Sequence, residues 1–95
     1  MKVINLSIRK NPNDEAESFN ILLSELPNDY GLYNCKIVDN TLSEIFSVTK
    51  SSLSDCVIDL LSIVQSLGQV INIHEIKPDE ETKQIIDRIR NLNKG

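Results

Sequence analysis

The sequence predicts an α+β domain of the split βαβ kind, and three observations carry that expectation. Apolar and polar residues alternate over residues 2–9, 32–38, 41–49 and 70–76, the period of half-buried strands. Residues 14–26 and 53–67 instead space their apolar side chains as one face of a helix. Finally, 95 residues that are 40% hydrophobic and 25% charged suit one compact domain, residues 1–95, with no linker or repeat to divide it.

In the first expected strand, Ile4, Leu6 and Ile8 share one face while Asn5, Ser7 and Arg9 share the other. Asn11-Pro12-Asn13 then breaks the chain, and Asp14 with Glu17 three residues on has the pattern of a capping box opening a helix. The stripe of that helix is Ala16, Phe19, Leu22, Leu23 and Leu26, with Pro27 and Gly31 beyond its end. Two strands around Asp39-Asn40 predict a hairpin, because these residue types tolerate the positive φ of a two-residue turn.

Ser51-Ser52 precedes a second helix, whose apolar stripe is Leu53, Cys56, Val57, Leu60, Leu61, Val64 and Leu67, ended by Gly68. After a fourth strand, Pro78 and the acids Asp79, Glu80 and Glu81 predict the start of a C-terminal helix carrying Ile85, Ile86 and Ile89. The order is βαββαβ plus that helix. It predicts a ferredoxin-like four-stranded antiparallel sheet with two helices on one face.

In that arrangement the inward set is Ile4, Leu6, Ile8, Tyr33, Cys35, Ile37, Leu42, Phe46, Val48, Ile71 and Ile73. The opposite face mixes Asn5, Ser7, Asn72 and His74 with Val3, Ile45 and Ile76, too polar for a core. Three covers suit it: the isoleucines of the last helix, a second copy of the chain, or a ligand. A strict two-residue turn also sets Glu44 opposite Cys35 on the apolar face, which a bulge or an edge position would relieve.

A formal net charge of −4 argues against nucleic acid, whose phosphates are met by clustered Lys and Arg. It argues equally against an anionic membrane. No apolar run approaches the roughly 18 residues of a membrane span, and the first residues lack a secretory signal's apolar core. With only Cys35 and Cys56, both inside apolar patterns, the expectation is two reduced, buried thiols in a cytoplasmic protein.

No catalytic set, metal-ligand set or cofactor motif stands out, so the chain reads as a non-enzyme without cofactor or metal. His74 is the single histidine and has no second ligand-type residue at metal-binding spacing. Residues 11–35 and 51–76, by contrast, contain no Lys or Arg and hold eight acids. Charge of one sign on two helices suits a cationic partner. The expectation is therefore a small acidic protein-binding module of the inhibitor, immunity-protein, antitoxin or phage-inhibitor type, acting on a basic protein. Asp14, Glu15, Glu17, Glu25, Asp55 and Asp59 are its expected contacts, with Tyr30 as an aromatic anchor. The alternative is a regulatory domain that forms a homodimer through its sheet face, or binds a small ligand there, using Asn5, Ser7, Ile45, Asn72 and His74.

Overall fold

The computed structural model describes residues 2–75 and 80–92. It contains five strands, β1 (Lys2–Arg9), β2 (Glu17–Leu23), β3 (Tyr33–Asp39), β4 (Glu44–Lys50) and β5 (Gln69–Glu75), and two helices, α1 (Leu53–Leu67) and α2 (Glu80–Leu92). All five strands form one sheet in the order β4-β3-β2-β1-β5, every neighbouring pair antiparallel. The α+β class with two helices on one face therefore stands. The sheet has five strands rather than four, and its meander order is not the interleaved order expected of a split βαβ unit.

The difference comes from one segment. Residues expected as the first helix form β2, the central strand, paired with both β1 and β3. Ile21 decides between the two periods: on a helix it falls opposite Phe19 and outside the apolar stripe, whereas on a strand it shares a face with Phe19 and Leu23. Ile21 and Leu23 are fully buried. Ser18 and Asn20 are weak helix formers as well, while Phe and Ile favour strands. Asp14 caps no helix; its amide donates to the Asn11 carbonyl at 3.0 Å and its carboxylate accepts from Asn11 Nδ2 at 2.9 Å, closing the turn between β1 and β2.

The second expected helix is α1. Ser52 is its N-cap, its hydroxyl accepting from the Asp55 amide at 3.2 Å, and Cys56, Val57, Leu60, Leu61 and Val64 form its buried stripe. Gly68 ends it at φ +145, and a Cβ there would collide with the Arg9 carbonyl oxygen. Only glycine lets the chain turn against β1 at that point. The α2 isoleucines Ile85, Ile86 and Ile89 are buried in the same core as α1 and the inward strand residues. They do not cover the opposite sheet face, over which no helix lies among the described residues. The expected helix start at Pro78 and Asp79, and the strand residue Ile76, lie outside the described residues.

Both edge strands carry a bulge. Ile37 pairs with Phe46 but Val38 with Glu44, and Ile8 pairs with Val70 but Ser7 with Asn72, so Ile45 and Ile71 are the extra residues. Each is 43% exposed, unlike the buried Ile37 and Ile8. Ile71 thus leaves the expected inward set and Val70 enters it. The hairpin loop is longer than two residues, with Leu42 rather than Asn40 at positive φ, 66°, and Leu42 is 77% exposed instead of inward. Glu44 consequently lies opposite Val38 and half-exposed, with one carboxylate oxygen 3.4 Å from Lys36 Nζ. The bulge removes the apparent charge from the core.

Candidate functional site

The connection between β4 and β5 creates an uncovered corner. Because α1 starts beside the Lys50 end of β4 and finishes at the Gln69 end of β5, it crosses the inward face diagonally. One diagonal helix cannot cover both remaining corners of a five-stranded sheet. The core includes α2 on one side of α1, while on the other a cleft of about 780 Å³ opens where β1 and β2 meet the β3–β4 hairpin. Ile8, Phe19, Ile45 and Leu67 form its apolar lining.

Charge on this cleft is one-sided. Asp14, Glu15, Glu17 and Asp39 line it against Lys10. The β1–β2 turn brings the first three there, and the β3–β4 turn brings the fourth. Asp39 is held by its own loop: its Oδ1 accepts from the Thr41 hydroxyl at 2.7 Å and from the Thr41 and Ser43 amides at 2.9 Å each. Those donors, the hydroxyl first, keep its carboxyl below the ordinary carboxylate range.

The expected acidic surface is therefore divided. Asp14, Glu15 and Glu17 come together, though on a turn and a strand start and not on a helix. Glu25 and Tyr30 belong to the loop at the other end of β2, about 20 Å away along a seven-residue strand. Tyr30 is 86% exposed, in a turn organised by Asn28, whose Oδ1 accepts from the Tyr30 amide at 2.9 Å and the Leu32 amide at 3.0 Å. Asp55 lies in the first turn of α1, and Asp59 is 3.5 Å from Lys50 Nζ. Ile45, expected on the opposite face, joins the acids instead. Ile8, Lys10, Phe19 and Asp39 were missed as site residues, because only the true β2 register and the bulge bring them to one place.

The helix-free sheet face does gather Asn5, Ser7, Asn72 and His74. Asn5 sits opposite His74, and Ser7 opposite Asn72, across β1 and β5. Asn5 Nδ2 lies 2.9 Å from both Ser18 Oγ and Asn20 Oδ1, and Asn72 Nδ2 lies 2.9 Å from His74 Nε2. Ile45 is not part of this group.

Both thiols are buried and free. Cys56 Sγ is 3.4 Å from the Tyr33 carbonyl and 3.9 Å from that of Val48, the partner of Cys35, so it sits above Cys35. Burial, then the neighbouring Cys56, pushes the Cys35 thiol up to about 12. Both sulfurs belong to the core. Among the described residues no group of three or more His, Cys, Asp or Glu side chains is placed to hold a metal ion, and no helix is long and apolar enough to cross a membrane. No protein-family model matches the chain, and no curated protein or solved structure shows significant similarity to it.

Proposed function

We propose that the protein is a non-enzymatic binding module whose acid-lined cleft receives a cationic segment of a basic protein. The observation that carries this reading is the pairing of Asp14, Glu15, Glu17 and Asp39 with an apolar lining of Ile8, Phe19, Ile45 and Leu67. Acid alone on a surface aids solubility. Acid around an apolar recess offers a basic segment two things together: charge complementarity that speeds encounter, and a surface that can bury an apolar anchor. An inhibitor or antitoxin of a basic protein uses both. Relative to the sequence expectation, the contact set contracts to one end of the sheet and gains Ile45 and Phe19.

The reading is tested with a fluorescent peptide of alternating lysines and leucines, followed by anisotropy across a salt series. Binding should weaken steeply as salt rises, since screening acts on exposed charges. Neutralising the lining with Asp14→Asn, Glu15→Gln and Glu17→Gln should weaken it at least tenfold, and Ile45→Ala should weaken it with the salt slope unchanged. Equal affinity for the neutralised variant would remove the cleft from the function.

A further inference from the structure

We propose that the helix-free sheet face carries a separate binding site for a small oxyanion, phosphate or carboxylate, formed by Arg9, Ser7 and Asn72. This site uses none of the side chains that line the cleft.

Arg9 continues the outward alternation of Asn5 and Ser7 at the end of β1. It is partly buried, and its Nε is buried without a hydrogen-bond partner. A buried guanidinium N–H with nothing to donate to is costly, and native proteins rarely leave one so. Among the described residues no carboxylate forms an ion pair with it. The acids of the β1–β2 turn line the cleft, and Glu44 is three strands away beside Lys36.

Two further donors stand next to Arg9. Ser7, one outward position along β1, makes no side-chain hydrogen bond among the described residues, so its hydroxyl is free to donate. Asn72 pairs with Ser7 across the ladder. Its Oδ1 accepts from the Ile73 amide at 2.9 Å and its Nδ2 is engaged by His74 Nε2, which fixes the amide plane and leaves the second N–H of Nδ2 to donate outward. Neighbouring outward positions are about 7 Å apart along a strand and about 5 Å apart across a ladder. An arginine side chain spans that interval, so one oxyanion can take the guanidinium edge, the hydroxyl and the amide N–H together. A planar guanidinium donating through Nε and one Nη matches two oxygens of a carboxylate or phosphate.

The test is a nitrogen-15 NMR titration of the full chain with inorganic phosphate in one arm and acetate in the other, at constant ionic strength. Saturable shifts of the Arg9 Nε–H signal, with the Ser7 and Asn72 amides, are expected in at least one arm, and the arm that saturates identifies the ligand chemistry. Arg9→Gln should weaken binding at least tenfold. Ser7→Ala, an exchange of small side chains outside the core, should weaken it about threefold with the spectrum otherwise unchanged. Absence of saturation in both arms would overturn the proposal, as would saturation that bypasses Arg9 Nε–H or persists unchanged in both variants.

Discussion

The two faces of the sheet are written by the same strands and have opposite characters. On the inward face Ile4, Leu6, Ile8, Ile21, Leu23, Cys35 and Ile37 are all at most 2% exposed, packed under two helices. One residue away along each strand, Asn5, Ser7, Ser18, Asn20 and Asn34 face outward, uncovered by either helix of the described residues. The inward face supplies the stability through burial of apolar surface. The outward face is polar enough to remain in water, and its asparagines bond to one another's strands. The two proposed binding sites sit where each face departs from its own rule: the inward face is uncovered at one corner, and the outward face ends in a cation.

That comparison sets an order of expected effects. The largest belongs to the inward face: Ile21→Ala or Leu6→Ala should cost about 2–5 kcal/mol in chemical denaturation. Ser7→Ala, beside Leu6 but outward, should stay within about 0.5 kcal/mol. Similar costs for Leu6 and Ser7 would mean that the outward face is covered by something in solution.

Glycines at the two ends of the molecule sharpen the picture next. Gly68→Ala should cost about 2 kcal/mol or more, since it combines positive φ with a Cβ driven into the Arg9 carbonyl. At Gly31, φ +75, nothing lies within 4 Å of the added methyl, so Gly31→Ala should cost only about 1 kcal/mol. The reverse ranking would contradict the close seating of α1's end against β1.

The buried thiol gives a pH dependence. A folded Cys35 raised from 9.0 to about 12 contributes stability that is complete below the unfolded value. That stability is lost as pH rises between the two, by up to about 1.4 kcal/mol per pH unit. The stability gap between the native chain and Cys35→Ala should therefore narrow across that range in alkaline denaturation series. An unchanging gap would place the thiol in water.

Two smaller effects concern polar groups. Asn5→Ala should cost about 1 kcal/mol through the loss of its bonds to Ser18 and Asn20. Asp39 has a lowered folded pKa, so its contribution is present above the unfolded value of 3.8 and disappears as pH falls through the lowered folded value. Acid denaturation of Asp39→Asn should lack that component; an identical acid profile would mean that the turn does not depend on the carboxylate.

Much of the fold is legible where one period dominates. The alternation of Ile4, Leu6 and Ile8 is unambiguous, and the spacing of Cys56, Val57, Leu60, Leu61 and Val64 admits only a helix. Residues 16–26 carry a helical stripe that competes with the strand period; Ile21, Ser18 and Asn20 are the local signs of the strand, and pairing on both sides of β2 adds a non-local stabilisation that they do not reveal. The bulges at Ile45 and Ile71 are invisible for a similar reason: each changes by one residue which side chains face inward. The acids were recognisable by sign. Their grouping was not, because it depends on which end of the sheet each turn occupies. Arg9 was visible as the next outward residue after Asn5 and Ser7, but its lack of a partner emerges only from the folded neighbourhood.

The acid-lined corner beneath the β3–β4 hairpin is the proposed binding surface for a cationic segment. The most direct measurement is amide chemical-shift mapping with the lysine–leucine peptide. Saturable shifts are expected at Ile8, Asp14, Glu15, Glu17, Phe19 and Ile45, with Glu25, Tyr30 and Asp55 unmoved. Shifts centred on Glu25, Tyr30 and Asp55, or spread evenly over all exposed acids, would contradict it.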